Sequence, residues 1–75
     1  MAEWTSKQRD IMGDAYRLLQ RNFTPKRDGA YWDRLISEGR ELYTKYDYDQ
    51  LALDMVAAIN LHLEKKLARI ERGIE

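Results

Sequence analysis

Cysteine is absent from this chain of 75 residues, which excludes both a disulfide framework and thiolate metal sites as supports for a small core. Proline occurs once, at position 25, and glycine only four times, so little in the sequence interrupts helix. The longest apolar run, "MVAAI", is far too short to span a bilayer, and no stretch near residue 1 combines a basic flank with a long apolar segment. These absences lead us to expect a soluble, cytoplasmic protein held together by apolar packing alone. A chain of this length buries only about 60% of its unfolded surface, which allows one domain over residues 1–75 and a stability of roughly 4 to 11 kcal/mol.

Thirteen basic residues balance thirteen acidic ones, yet they are unevenly spread. Residues 5–27 hold Lys7, Arg9, Arg17, Arg21, Lys26 and Arg27 against Asp10 and Asp14, whereas acids dominate residues 28–54. The molecule is therefore expected to be an electrostatic dipole, which bears on its partners and not on its fold.

Ala, Leu, Glu, Lys, Arg and Gln favour helix nearly throughout, and the apolar spacing agrees. Ile11, Met12, Ala15, Leu18, Leu19 and Phe23 lie on one side of a helix over 6–22, with Thr5 and Gln8 spaced as a capping box. Pro25 and Gly29 then break the pattern. Tyr31, Trp32, Leu35, Ile36, Leu42, Tyr43 and Tyr46 mark a second helix over 30–46, with Asp28 placed at its start. Gly39, in the middle of that stripe, either admits a neighbouring helix closely or kinks its own; close approach is the expected role. Ala52, Met55, Val56, Ile59, Leu63, Leu67 and Ile70 mark a third helix over 49–72, stopped by Gly73. The expected fold is all-α, an up-down-up three-helix bundle whose long C-terminal helix overhangs the body.

The junction "KYDYDQLALD" crowds Asp47, Asp49 and Asp54 beside two tyrosines. A calcium loop would need further oxygen donors at alternate positions, a glycine and a closing glutamate, all missing here. Asp47 or Asp49 as the N-cap of the third helix explains the acids without a metal, and Gln50 follows Asp47 at capping-box spacing. His62 is the single histidine, and no nucleophile or orienting acid is recognisably paired with it. We expect no catalytic residue, no cofactor and no metal, hence no enzyme.

Two surfaces invite partners. Arg17 and Arg21 share one face of the first helix, with Lys26 and Arg27 following in the loop, which makes an anion or nucleic-acid patch. Against it stand Asp10, Asp14 and Asp28 nearby, a net charge of zero, and Asp47, Asp49 and Asp54 at the end that a reading helix would present to DNA. The second surface is on the third helix. Leu53, Ala57 and Leu61 recur every fourth residue on a side distinct from the core stripe, and Leu51 and Ala58 widen it. Leu67 and Ile70 continue with Leu63 into the tail at a spacing that suits a short helix pairing. Either the other two helices cover both sides of the third, or a second chain does.

Residues 31–66, with their aromatic pair "YW", the junction "LYTKYD" and a leucine-rich helix ending "LEKK", resemble small uncharacterised helical proteins of phages and prophages of Gram-positive bacteria. The resemblance implies a bacterial cytoplasmic setting and an accessory or host-modulating role, and it carries over no catalytic residue. The function expected is a non-enzymatic protein-interaction module that associates through the third helix with itself or another protein; a small nucleic-acid-binding protein is the alternative.

Overall fold

A computed structural model describes residues 3–75 as three helices that all pack against one another: α1 (Ser6–Arg21), α2 (Gly29–Lys45) and α3 (Gln50–Glu71). No strand is present among the described residues. Pairs of contacts give the directions. Arg21 meets Glu38 while Asp14 meets Lys45, so α1 and α2 run antiparallel. Lys7 meets Asp49 while Phe23 meets Lys66, so α1 and α3 run parallel and the bundle is up-down-up.

Local chemistry sets the helix ends. Thr5 Oγ1 accepts from the Gln8 amide while Gln8 Oε1 accepts from the Thr5 amide, which completes the capping box and satisfies two amides that the first turn leaves free. Asp28 caps α2 by accepting from Ala30, and Asp49 caps α3 by accepting from Leu51. Gly73, at φ 77°, ends α3 in a Schellman motif: the Ile74 amide donates to the Arg69 carbonyl and that of Gly73 to Ile70. The ends lie within one residue of those read from the sequence; Asn22 and Tyr46 are C-caps.

Ile11, Ala15 and Leu18 of α1, Tyr31, Leu35 and Leu42 of α2, and Ala52, Val56, Ile59 and Leu63 of α3 form one buried cluster. Gly39 brings α2 close to α3. A Cβ on Gly39 would lie 2.7 Å from Val56 Cγ1, and α2 continues through the glycine without interruption, so close approach is the role it plays.

Three expectations need correction. Phe23 is 54% exposed and Ile36 is 52% exposed, so both leave the core stripes to which spacing assigned them. Phe23 lies past the C-cap of α1, where helical spacing no longer applies, and Ile36 sits at the edge of its stripe. Nor does α3 overhang freely. Arg27 Nε donates to Glu71 at 2.6 Å and Lys66 lies on Phe23, so the α1–α2 loop holds the last turns of α3.

Candidate functional site

The junction between α2 and α3 is built from two caps in series. Asp47 and Tyr48 both take left-handed backbone, at φ 55° and 59°. The Tyr48 amide donates to the Tyr43 carbonyl and that of Asp47 to Thr44, which is a Schellman motif with an aspartate where glycine is usual. The rings of Tyr43 and Tyr48 meet at 5.4 Å between centroids, the apolar contact that accompanies this motif. Asp49 then caps α3. Lys7 stands 3.2 Å from its carboxylate and, with the Leu51 amide, holds Asp49 below the usual carboxylate range. Asp47 and Gln50 do not form the second capping box; Gln50 bonds to Asp54 instead. Among the described residues, no group of three or more His, Asp or Glu side chains is placed to hold a metal ion.

Between α1 and α2 runs a charged seam, open as a shallow cleft of about 180 Å³. Asp14 is its hub. It accepts from the Tyr46 hydroxyl, from Arg17 at 2.6 Å and from Lys45 at 3.0 Å. The Tyr46 hydrogen bond, helped by the two cations, lowers the Asp14 carboxyl to about 2, against the opposing pull of partial burial. Burial and the Asp14 charge together raise Tyr46, and Asp14 raises Lys45. Asp14 answers Arg17 and Lys45, and Glu38 answers Arg21, so the seam helps fix how α1 and α2 pair.

The four basic residues singled out in the sequence do not form one free patch. Arg17 pairs with Asp14, Arg21 with Glu38 at 2.8 Å, and Arg27 with Glu71, while Lys26 lies on a separate shallow cleft with Asp28 and Arg34. The short-range spacing of Asp14 and Arg17 was legible; Glu38 and Glu71 come from other helices.

Two buried polar residues escape a reading by pattern. Asn22 is 1% exposed: its Nδ2 donates to the Leu18 carbonyl, its Oδ1 accepts from Arg34, and its backbone carbonyl accepts from the Tyr31 hydroxyl at 2.6 Å. This knot closes the C-terminus of α1 against α2 and accounts for a fully buried amide. Lys66 is 6% exposed, and its ammonium lies 3.1 Å from the centroid of the Phe23 ring. The only sequence signal for it is a lysine falling on the core stripe of α3.

The outward side of α3 is apolar at its middle. Leu61 is 49% exposed, Ala57 and Ala58 are exposed, and Leu53 is half-buried at the flank. Leu67 and Ile70 are half-buried and turn toward the body. Because Gly39 faces Val56 in an antiparallel pair, the exposed Ile36 of α2 falls level with residues 59–60 of α3, within two residues of Leu61 along the axis. Ile36 and Leu61 thus stand at nearly the same height along the bundle, each exposed on its own helix. Nearby, Asn60 Oδ1 is buried with no hydrogen-bond partner among the described residues.

Charge separates along the 43 Å length of the molecule. Arg21, Lys26, Arg27, Lys65, Lys66 and Arg69 gather at the end formed by the α1–α2 loop and the last turns of α3, where bases outnumber acids. At the other end Glu3, Asp10, Asp14, Asp47, Asp49 and Asp54 outnumber the bases. No helix of the described residues is long and apolar enough to cross a membrane. No family model, no curated protein and no solved structure matches the chain.

Proposed function

We propose that this protein is a non-enzymatic interaction module that associates through the outward apolar side of α3, and that its partner is a second copy of the chain. One observation carries the reading: Leu61 and Ile36, large apolar residues at nearly the same height on adjoining helices, are each about half exposed, and Ala57 and Ala58 of α3 are exposed as well. Small residues there let a second helix approach closely, and burying a leucine-sized side chain stabilises by about 1.5 to 3 kcal/mol.

Charge favours a second copy over an unrelated protein. Two copies laid antiparallel along α3 place the basic end of one beside the acidic end of the other. Centred near Ala58 and Leu61, such a pair sets Asp54 of one copy against Lys65 of the second. A two-fold pair of this kind repeats its contacts and closes on itself. The likeness of residues 31–66 to small phage and prophage proteins fits an accessory role of this kind in a bacterial cytoplasm. Nucleic-acid binding through Arg17, Arg21, Lys26 and Arg27 is the weaker reading, because three of the four are engaged by carboxylates.

The test is Leu61→Asp in equilibrium sedimentation. The substitution should weaken association at least tenfold while the helical circular dichroism stays that of the parent, because Leu61 contributes little to the core. Unchanged association would remove α3 as the interface.

A further inference from the structure

The flank of α3 that meets Phe23 carries His62, Lys66 and Arg69, spaced by four and three residues and so aligned on one face. One carboxylate fills the place on which Lys66 and Arg69 converge. Glu75 Oε2 accepts from Arg69 Nε at 2.6 Å, and Glu75 Oε1 stands 3.8 Å from Lys66 Nζ. Lys66 is the unusual member. Its side chain is 8% exposed, its ammonium rests on Phe23, and among the described residues no acceptor lies within hydrogen-bond reach of it. With one side against the Phe23 ring and no protein acceptor in reach, that ammonium keeps its donors for water or a ligand. Here a single carboxylate stands just beyond reach, brought by the turn that Gly73 makes after α3. Arg69 is the first cause that holds the Glu75 carboxyl below its ordinary range, with Lys66 and His62 adding to it.

We infer that Lys66 and Arg69, with the exposed ring of Phe23 as a wall, form a carboxylate-binding site whose resident occupant is the chain's own Glu75 and whose external ligand is an acidic peptide segment of a partner. The resident group identifies the ligand chemistry. Arg69 offers a planar donor suited to a carboxylate, and Lys66 supplies a charge whose donors are unspent. Phe23, 54% exposed beside them, gives an apolar neighbour to the aliphatic part of a Glu side chain. Phosphate-rich ligands fit less well, because Glu71 and Glu75 hold down the positive potential that a polyanion needs. Lys66 lies about 140° and Arg69 about 80° around α3 from Leu61, and the site does not rest on the pairing proposed above.

A direct test follows the Arg69 Nε–H resonance by NMR while an acetylated, amidated tetraglutamate peptide is added. Glu75→Gln removes the resident competitor and keeps the shape, so the peptide should bind roughly two- to fivefold tighter than to the parent chain, as loss of a partly exposed ion pair implies. Arg69→Gln should lose binding. Glu64→Gln makes the same charge change on the other side of α3 and should bind as the parent does. The inference is overturned if Glu75→Gln and Glu64→Gln tighten binding alike, if the Arg69 resonance does not move with peptide in either the parent or Glu75→Gln, or if inorganic phosphate or a short oligothymidylate saturates the site at lower concentration than the peptide. Preserved dispersion of the amide spectrum certifies the fold of each variant.

Discussion

The Tyr46 hydroxyl donates to the Asp14 carboxylate across the seam between α1 and α2, joining residues 32 apart in sequence. Lys45 and Arg17 bind the same carboxylate, so one acid organises a tyrosine and two cations from both helices. The relationship is structural in effect, and its strength depends on pH.

Asp14 titrates near 2 in the folded chain against an ordinary value of 3.8, so its contribution to stability is complete above about pH 4 and is lost as the pH falls toward 2. Solvent screening at this open seam reduces that contribution to about 1 kcal/mol. Urea unfolding of the parent and Asp14→Asn at pH 7 should therefore differ by about that amount. At pH 2 the gap should have largely closed. A gap that widens toward low pH would reverse the sign of the linkage.

At position 39 alanine should be worse than glycine, although alanine is the better helix former by about 1 kcal/mol. The added methyl would press on Val56 Cγ1, and overpacking of this kind costs about 1 to 3 kcal/mol. Gly39→Ala should lower the urea midpoint, and Val56→Ala should relieve the loss in the double variant. A stabilised Gly39→Ala would mean that α2 and α3 do not approach this closely.

The two aspartates of the α2–α3 junction should answer mutation in opposite ways. Asp49→Ala removes the α3 cap and should cost about 1 kcal/mol. Asp47→Gly relieves a left-handed non-glycine residue and should gain up to about 1 kcal/mol. Thermal unfolding of both variants checks the assignment, and the reverse order would move the cap to Asp47.

Phe23 should matter more than its exposure suggests. Phe23→Leu removes the ring beneath the Lys66 ammonium and should cost about 1 kcal/mol. In a Lys66→Met background the same substitution should cost clearly less, and a double-mutant cycle measures the difference. Equal costs in both backgrounds would mean that ring and ammonium do not interact.

Features fixed by near neighbours were legible in the sequence. Thr5 and Gln8 stand three residues apart and cap α1 as their spacing implies; Gly39 and Gly73 act where their positions suggest. The choice between Asp47 and Asp49 was not legible, because either aspartate fits an N-cap and the decision rests on the Schellman turn that consumes Asp47. Spacing misplaces Phe23 because α1 ends before it, and Ile36 because helical spacing locates a stripe but does not set how far around the helix its neighbours reach. Asn22 and Lys66 are buried by partners supplied by tertiary packing, Tyr31 and Arg34 for one and Phe23 for the other. The exposed half of α3 was legible in part: Ala57 and Leu61 face outward as the four-residue recurrence suggests, whereas Leu67 and Ile70 turn inward along with the core stripe.

If the outward side of α3 pairs two copies of the chain, light scattering across a wide concentration range should give a mass that rises from 9.0 kDa to twice that value with concentration and falls back in Leu61→Asp. A parent chain that stays at 9.0 kDa up to millimolar concentration would contradict it.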